Sequence, residues 1–150
     1  MYKNILVAID DSETSQCALQ EALHIARCSK AKLYISHVAD ESLLNVHGHV
    51  FAHMAEAEAA GAVTTLAQAG QKLLVEAMLK ADDIDAEAVL LSANNRRVSE
   101  IISDKAKELS VDLIIIGRHG QRGLATLILG SVAEQLAKIS DASVLLVRKH

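Results

Sequence analysis

Proline is absent from all 150 residues, so no helix here is stopped or kinked by a ring that removes an amide hydrogen. Helix ends must then come from glycine and from capping side chains. Tryptophan is absent as well, and aromatic residues make up only 2% of the chain. That leaves almost no platform on which single-stranded nucleic acid could stack. There are two cysteines, Cys17 and Cys28, in one predicted helix. At ~1.5 Å of rise per residue they stand roughly 16 Å apart, beyond the ~7 Å Cα separation a disulfide tolerates. No apolar run approaches the ~20 residues needed to span a bilayer. The run Ile5–Ile9 ends at Asp10-Asp11, too short for the apolar core of a signal peptide. These absences predict a reduced, cytoplasmic protein without membrane insertion.

What is present fits a soluble globular chain: 51% apolar and 23% charged residues. The length suits one domain with a real core, so residues 1–150 read as a single unit. The net charge of −4 argues against a nucleic-acid or anionic-membrane surface. That charge is uneven. Residues 1–110 carry ten Lys and Arg against sixteen Asp and Glu, whereas residues 111–150 carry five against three. The carboxyl-terminal part is therefore the better place for an anion.

Four strongly apolar runs have strand length: Ile5–Ile9, Leu33–Val38, Leu113–Ile116 and Val144–Val147. Ala88–Leu91 is a weaker fifth. Without polar alternation they read as strands buried on both faces, which a parallel sheet covered by helices requires. Between them lie helical patterns. Leu19, Ala22, Leu23 and Ala26 follow i, i+3, i+4, i+7 spacing within Ser12–Ser29. Val98, Ile101, Ile102 and Ala106 do the same in Arg97–Leu109, and Val132, Leu136 and Ile139 line one face of Ser131–Ser140. Residues Asn45–Phe51 look irregular. Ala52–Lys80 reads as a long helix that Gly61 and Gly70 weaken or break, at about 1 kcal/mol each relative to Ala. The alternation predicts an α/β fold: an open, Rossmann-like parallel sheet with helices on both faces and right-handed crossovers.

Four of the seven glycines fall within 117-GRHGQRGLATLILGS-131. The stretch starts at the carboxyl end of a strand, where open α/β sheets bind ligands, and ends by opening a helix. A helix start offers amides without acceptors and a partial positive charge, both suited to phosphate. Glycines at 117, 120 and 130 would let backbone approach a ligand closely. A plainer reading stands beside this one. Ser131-Val132-Ala133-Glu134 fits a capping box, and Gly117 suits a strand-ending turn. Neither GxxxxGK[ST] nor a GxGxxG after the first strand is present, which argues against a P-loop ATPase and a dinucleotide dehydrogenase.

The spacing Gly117-Arg118-His119-Gly120, nine residues, Gly130-Ser131 resembles the G-x2-G-x9-G-[ST] nucleotide pattern of the universal stress protein family. Tyr2–Ser12, Ser36-His37-Val38 and Ser143–Val147 are similar to that family's first, second and last strands. The resemblance spans essentially the whole chain and is weakest over 40–84. It implies five parallel strands in the order 3-2-1-4-5, with ATP, accompanied by magnesium, between strands one and four. By position it implies Val38 at adenine, and Ala8, Ile9 and Asp10 on the adenine–ribose side. Gly117, Gly120, Gly130, Ser131, Val132 and Ala133 would hold ribose and phosphates. Arg118, His119 and Arg122 lie between them, either neutralising phosphate or simply solvated. Ala8 stands where the family often has proline.

Asp10 would repel a triphosphate, so it suits a ribose hydroxyl or a metal-bound water, or else belongs to a turn in which Asp11 or Ser12 caps the next helix. The resemblance also implies a homodimer through Ser143–Arg148 and a sensor or regulatory role in the stress response. A slow ATPase, a nucleotidyl transferase and a dimeric scaffold with an empty pocket are the alternatives. His49 and His53 have the i, i+4 spacing of zinc ligands, with His47 close by, but no cysteine completes a set and no metal site is expected. His37 reads as a packed or capping histidine rather than a catalyst.

Overall fold

Ile5, Leu6 and Val7 are fully buried because β1 (Asn4–Ala8) is the central strand of a five-stranded parallel sheet with helices on both faces. The computed structural model describes residues 1–40, 56–119 and 129–149, with 56–60 as backbone only. The stretch 45–51, irregular by sequence, lies outside them. After β1 come α1 (Glu13–Ser29), β2 (Lys32–Ala39), α2 (Glu56–Leu79), β3 (Ala86–Ser92), α3 (Val98–Glu108), β4 (Leu113–Gly117), α4 (Ser131–Ile139) and β5 (Ser143–Val147). The strand order is β3-β2-β1-β4-β5, as the family resemblance implies. No helix among the described residues is long and apolar enough to cross a membrane.

Successive side chains of a strand point to opposite faces. Ile5 and Val7 pack with Leu19 and Leu23 of α1 and Leu74 of α2, while Leu6 joins Ile102 of α3 and Leu136 of α4. Each such burial contributes about 1.5–3 kcal/mol. The layering places the site. β1 and β4 are hydrogen-bonded neighbours, with Ala8 opposite Ile116 at their carboxyl ends. The chain leaves β1 towards the α1–α2 face and β4 towards the α3–α4 face. The connections diverge, and a notch opens between them.

Three local expectations are revised. The outer strands are not buried on both faces: every residue of β5 keeps some exposure and Leu90 of β3 is 38% exposed. An edge strand lacks a neighbour on one side, so its apolar residues are only partly covered. Next, α2 runs unbroken through Gly61 and Gly70. Lastly, glycine stops none of the helices through a left-handed turn, since no described glycine has positive φ. Lys30 ends α1 instead, at φ 55° and ψ 35°, with its amide bonded to the Ala26 carbonyl. Such a conformation costs a residue with a Cβ roughly 1–2 kcal/mol.

Candidate functional site

The notch is a cleft of about 860 Å³ beyond the ends of β1 and β4. Every described candidate lines it: Ala8, Ile9 and Asp10 after β1; Val38 on β2; Gly117, Arg118 and His119 where β4 ends; and Gly130, Ser131, Val132 and Ala133 at the start of α4. Gly120 and Arg122 lie outside the described residues, as do His47, His49 and His53. Among the described residues, no group of three or more His, Cys, Asp or Glu side chains is placed to hold a metal ion.

The turn from β1 into α1 is tightly bonded. The Ser12 amide donates to Asp10 Oδ1 at 2.9 Å, and the Asp10 amide donates to Ser15 Oγ at 2.8 Å. Ser12, not Asp11, caps α1, its Oγ accepting from the Ser15 amide at 3.2 Å. Asp10 is thus held at the cleft wall by the turn itself. The Thr14 hydroxyl donates to the His119 carbonyl, tying the head of α1 to the segment after β4. The Arg118 amide donates to the Val147 carbonyl on β5 at 2.8 Å, and Lys149 reaches Glu13 at 2.5 Å. That ion pair holds the Glu13 carboxyl below its usual pKa, chiefly through the hydrogen bond from Lys149.

Two glycines have a structural reason that spacing does not reveal. A Cβ on Gly117 would stand 2.8 Å from Thr14 Oγ1, 2.9 Å from the Thr14 carbonyl carbon and 3.0 Å from the Ser15 nitrogen. A Cβ on Gly130 would stand 2.9 Å from the Arg118 carbonyl oxygen. Both glycines admit the chain's own backbone. The expectation that they clear room for a ligand is corrected to that extent.

The capping box is corrected too. Gly130 is the N-cap of α4, at φ −60° and ψ 144°, and no side chain caps the helix. Ser131 is the first helical residue, and Glu134 pairs instead with Lys138 at 2.6 Å. The hydrogen bond from Lys138 is the main reason the Glu134 carboxyl titrates below its usual range. The Gly130 amide is already engaged, donating to the Arg118 carbonyl at 2.9 Å. The first amide to find an acceptor within α4 is that of Glu134, bonded to the Gly130 carbonyl. Those of Ser131, Val132 and Ala133 have none there, as the geometry of a helix start dictates. Ser99 Oγ donates to Gln135 Oε1 at 2.6 Å and fixes α4 against α3.

The facing wall comes from β2 and α2, and apart from Val38 sequence reasoning did not assign it to the site. It contains His37, Leu66, Ala69, Gly70 and Leu73. A signal was available: 66, 69, 70 and 73 have the spacing of one helix face. His37 is packed, as expected, with Nδ1 2.8 Å from the Ile9 carbonyl oxygen, yet the residue also lines the cleft.

The model of the universal stress protein family matches residues 1–148. The chain belongs to the universal stress protein family. The universal stress protein YxiE of Bacillus subtilis is 34% identical over 149 residues, covering 99% of this chain and 100% of the relative. The solved universal stress protein UspA of Lactobacillus plantarum has a TM-score of 0.81 at 22% identity, covering 98% of each chain, a likeness that speaks for the fold. A universal stress protein solved in complex with cAMP has a TM-score of 0.65 at 25% identity, covering 98% of this chain and 97% of that one. In the present universal stress protein, Ala8, Val38, Leu129 and Val132 extend the α3–α4 core into the cleft, giving it an apolar side beside the amides of α4.

Proposed function

We propose that this universal stress protein binds ATP with magnesium in the cleft between β1 and β4, and works as a sensor or regulatory module. The observation that carries the reading is the start of α4, whose amides at Ser131, Val132 and Ala133 lack helical acceptors where they border the cleft. An anion seated there accepts hydrogen bonds of about 1.5–3 kcal/mol each, against about 0.3–1 kcal/mol from the helix dipole. The amides decide the affinity. The volume of about 860 Å³ lies within the roughly 300–1,000 Å³ range of small-molecule sites. Val38 and Ala8 supply apolar contact for a base, and Asp10 suits a ribose hydroxyl or a magnesium-bound water. Magnesium would be carried mainly by the phosphates, as this ion commonly is. That a family member binds cAMP supports an adenine nucleotide as the ligand class.

Titration calorimetry with Mg-ATP tests the reading, together with mass identification of nucleotide released from purified protein. Saturable binding is expected, and none at millimolar ATP would overturn it. We further propose that residues 1–150 act as one domain and pair into a homodimer along Ser143–Arg148, where the open edge of β5 would otherwise invite aggregation. Light scattering that reports a monomer would refute the pairing.

A further inference from the structure

We propose that His37 selects the base: its Nε2 accepts a hydrogen bond from the exocyclic amine of adenine and turns away purines that carry an oxygen there. The inference rests on the nucleotide reading above and deepens it.

Charge orients the ligand first. Phosphates belong at the start of α4, beyond β4. In the sheet, β4 lies on one side of β1 and β2 on the other, so the far end of the cleft is the one walled by β2 and α2. There the lining turns apolar, with Leu66, Ala69 and Leu73 of α2. A flat heterocycle fits such a wall and a phosphate chain does not.

His37 belongs to this wall, its ring packed against Gly70 of α2. A carbonyl oxygen can only accept, so the 2.8 Å contact with Ile9 requires that Nδ1 carry the hydrogen. In the neutral imidazole Nε2 is then an acceptor. Among the described residues it takes no hydrogen bond, and since no buried side-chain nitrogen or oxygen there lacks a partner, it is not sealed off. The ring is also held in place. A Cβ on Gly70 would stand 2.6 Å from His37 Cδ2 and 3.2 Å from Nε2, so the imidazole fills the notch that this glycine leaves in α2. The Ile9 bond thus sets the tautomer and the Gly70 notch sets the orientation.

Adenine offers an N6 amine to this acceptor, whereas a 6-oxo purine offers an oxygen. Two acceptors facing each other both go unpaired. Leaving such groups unpaired corresponds to roughly ten- to a hundred-fold in affinity.

The test compares Mg-ATP with Mg-ITP, which differ at the 6-position, by calorimetry at pH 8. Wild type is expected to favour ATP by roughly ten- to a hundred-fold. His37→Asn puts an amide nitrogen near the position of Nδ1 but no acceptor at that of Nε2, so ATP affinity should fall to the ITP level while ITP is unmoved. His37→Gln places its amide near the position of Nε2 and should restore part of the preference. Equal binding of ATP and ITP by wild type overturns the proposal and leaves the nucleotide reading intact. So does a preference that survives in His37→Asn, or a parallel loss of both nucleotides, which would mark a merely structural histidine. Should His37→Asn fail to fold, the wild-type ratio and His37→Gln still decide. If wild type binds neither nucleotide, the underlying reading fails, and this one with it.

Discussion

The Gly130 amide donates to the Arg118 carbonyl across 2.9 Å, and a Cβ at residue 130 would stand 2.9 Å from that same oxygen. One contact thus sets both the start of α4 and the path of the chain leaving β4. Gly130→Val should break it and displace the amides that follow. ATP affinity is expected to fall about ten-fold or more, the loss of roughly one hydrogen bond to a charged group. Circular dichroism should still report a folded protein, because the sheet is built elsewhere. Unchanged affinity by calorimetry would show that the start of α4 does not hold the ligand.

Gly117→Ala is expected to reduce stability rather than act on ligand alone. Its new methyl meets the Thr14 backbone carbon at 2.9 Å and the Ser15 nitrogen at 3.0 Å, and backbone gives way less readily than a side-chain tip. Overpacking of this kind costs about 1–3 kcal/mol. Urea unfolding of the ligand-free protein measures it. A midpoint equal to that of wild type would mean that α1 moves aside freely.

Two glycines in α2 should respond in opposite directions. A methyl at Gly61 would meet nothing within 4 Å, so Gly61→Ala should raise stability by about 0.5–1 kcal/mol through helix propensity. Gly70→Ala gains the same propensity but drives its methyl to 2.6 Å from the His37 ring and 3.0 Å from Leu90 Cδ1. A net loss is expected. Thermal unfolding of the pair checks the contrast, and two increases would show that His37 is loosely held.

Stability should depend on pH through Arg27 and Asp83, which join α1 to the turn before β3 by two bonds of 2.8 Å. The hydrogen bond from Arg27 holds the Asp83 carboxyl below its usual value near 3.8. A carboxylate depressed by folding adds stability that is present above the unfolded pKa and fades as pH falls through the folded one. Arg27→Ala should therefore lower the urea midpoint at pH 7 and make no difference in acid where Asp83 is protonated. Both groups are exposed, so the difference should be small and should shrink in about 0.5 M salt. A difference of equal size at both pH values would place the role of Arg27 in packing.

The central strands were legible because burial on both faces removes polar residues from them: Leu113–Ile116 and Ile5–Ile9 announce themselves. β3 was faint because it is an edge, with Glu87, Ala88 and Leu90 exposed. The site candidates were found through a motif, but the reasons for its glycines were not. Gly117 answers to Thr14 across more than a hundred positions, and no local pattern carries such a distance. His37 was half read: its packing follows from its place at a strand end, whereas its facing of the cleft depends on how α2 lies over β2. Lys30 at a helix stop was not legible at all, since its left-handed turn follows from the need to bring α1 back into β2 rather than from its own preference.

Through the bond from Arg118 to Val147, and the ion pair from Lys149 to Glu13, the last strand works as a clasp between the exit of β4 and the head of α1. Whatever grips the outer margin of β5 takes hold of that clasp. A pull on that margin therefore reaches the exit of β4 and the first turn of α1 together, through a single strand.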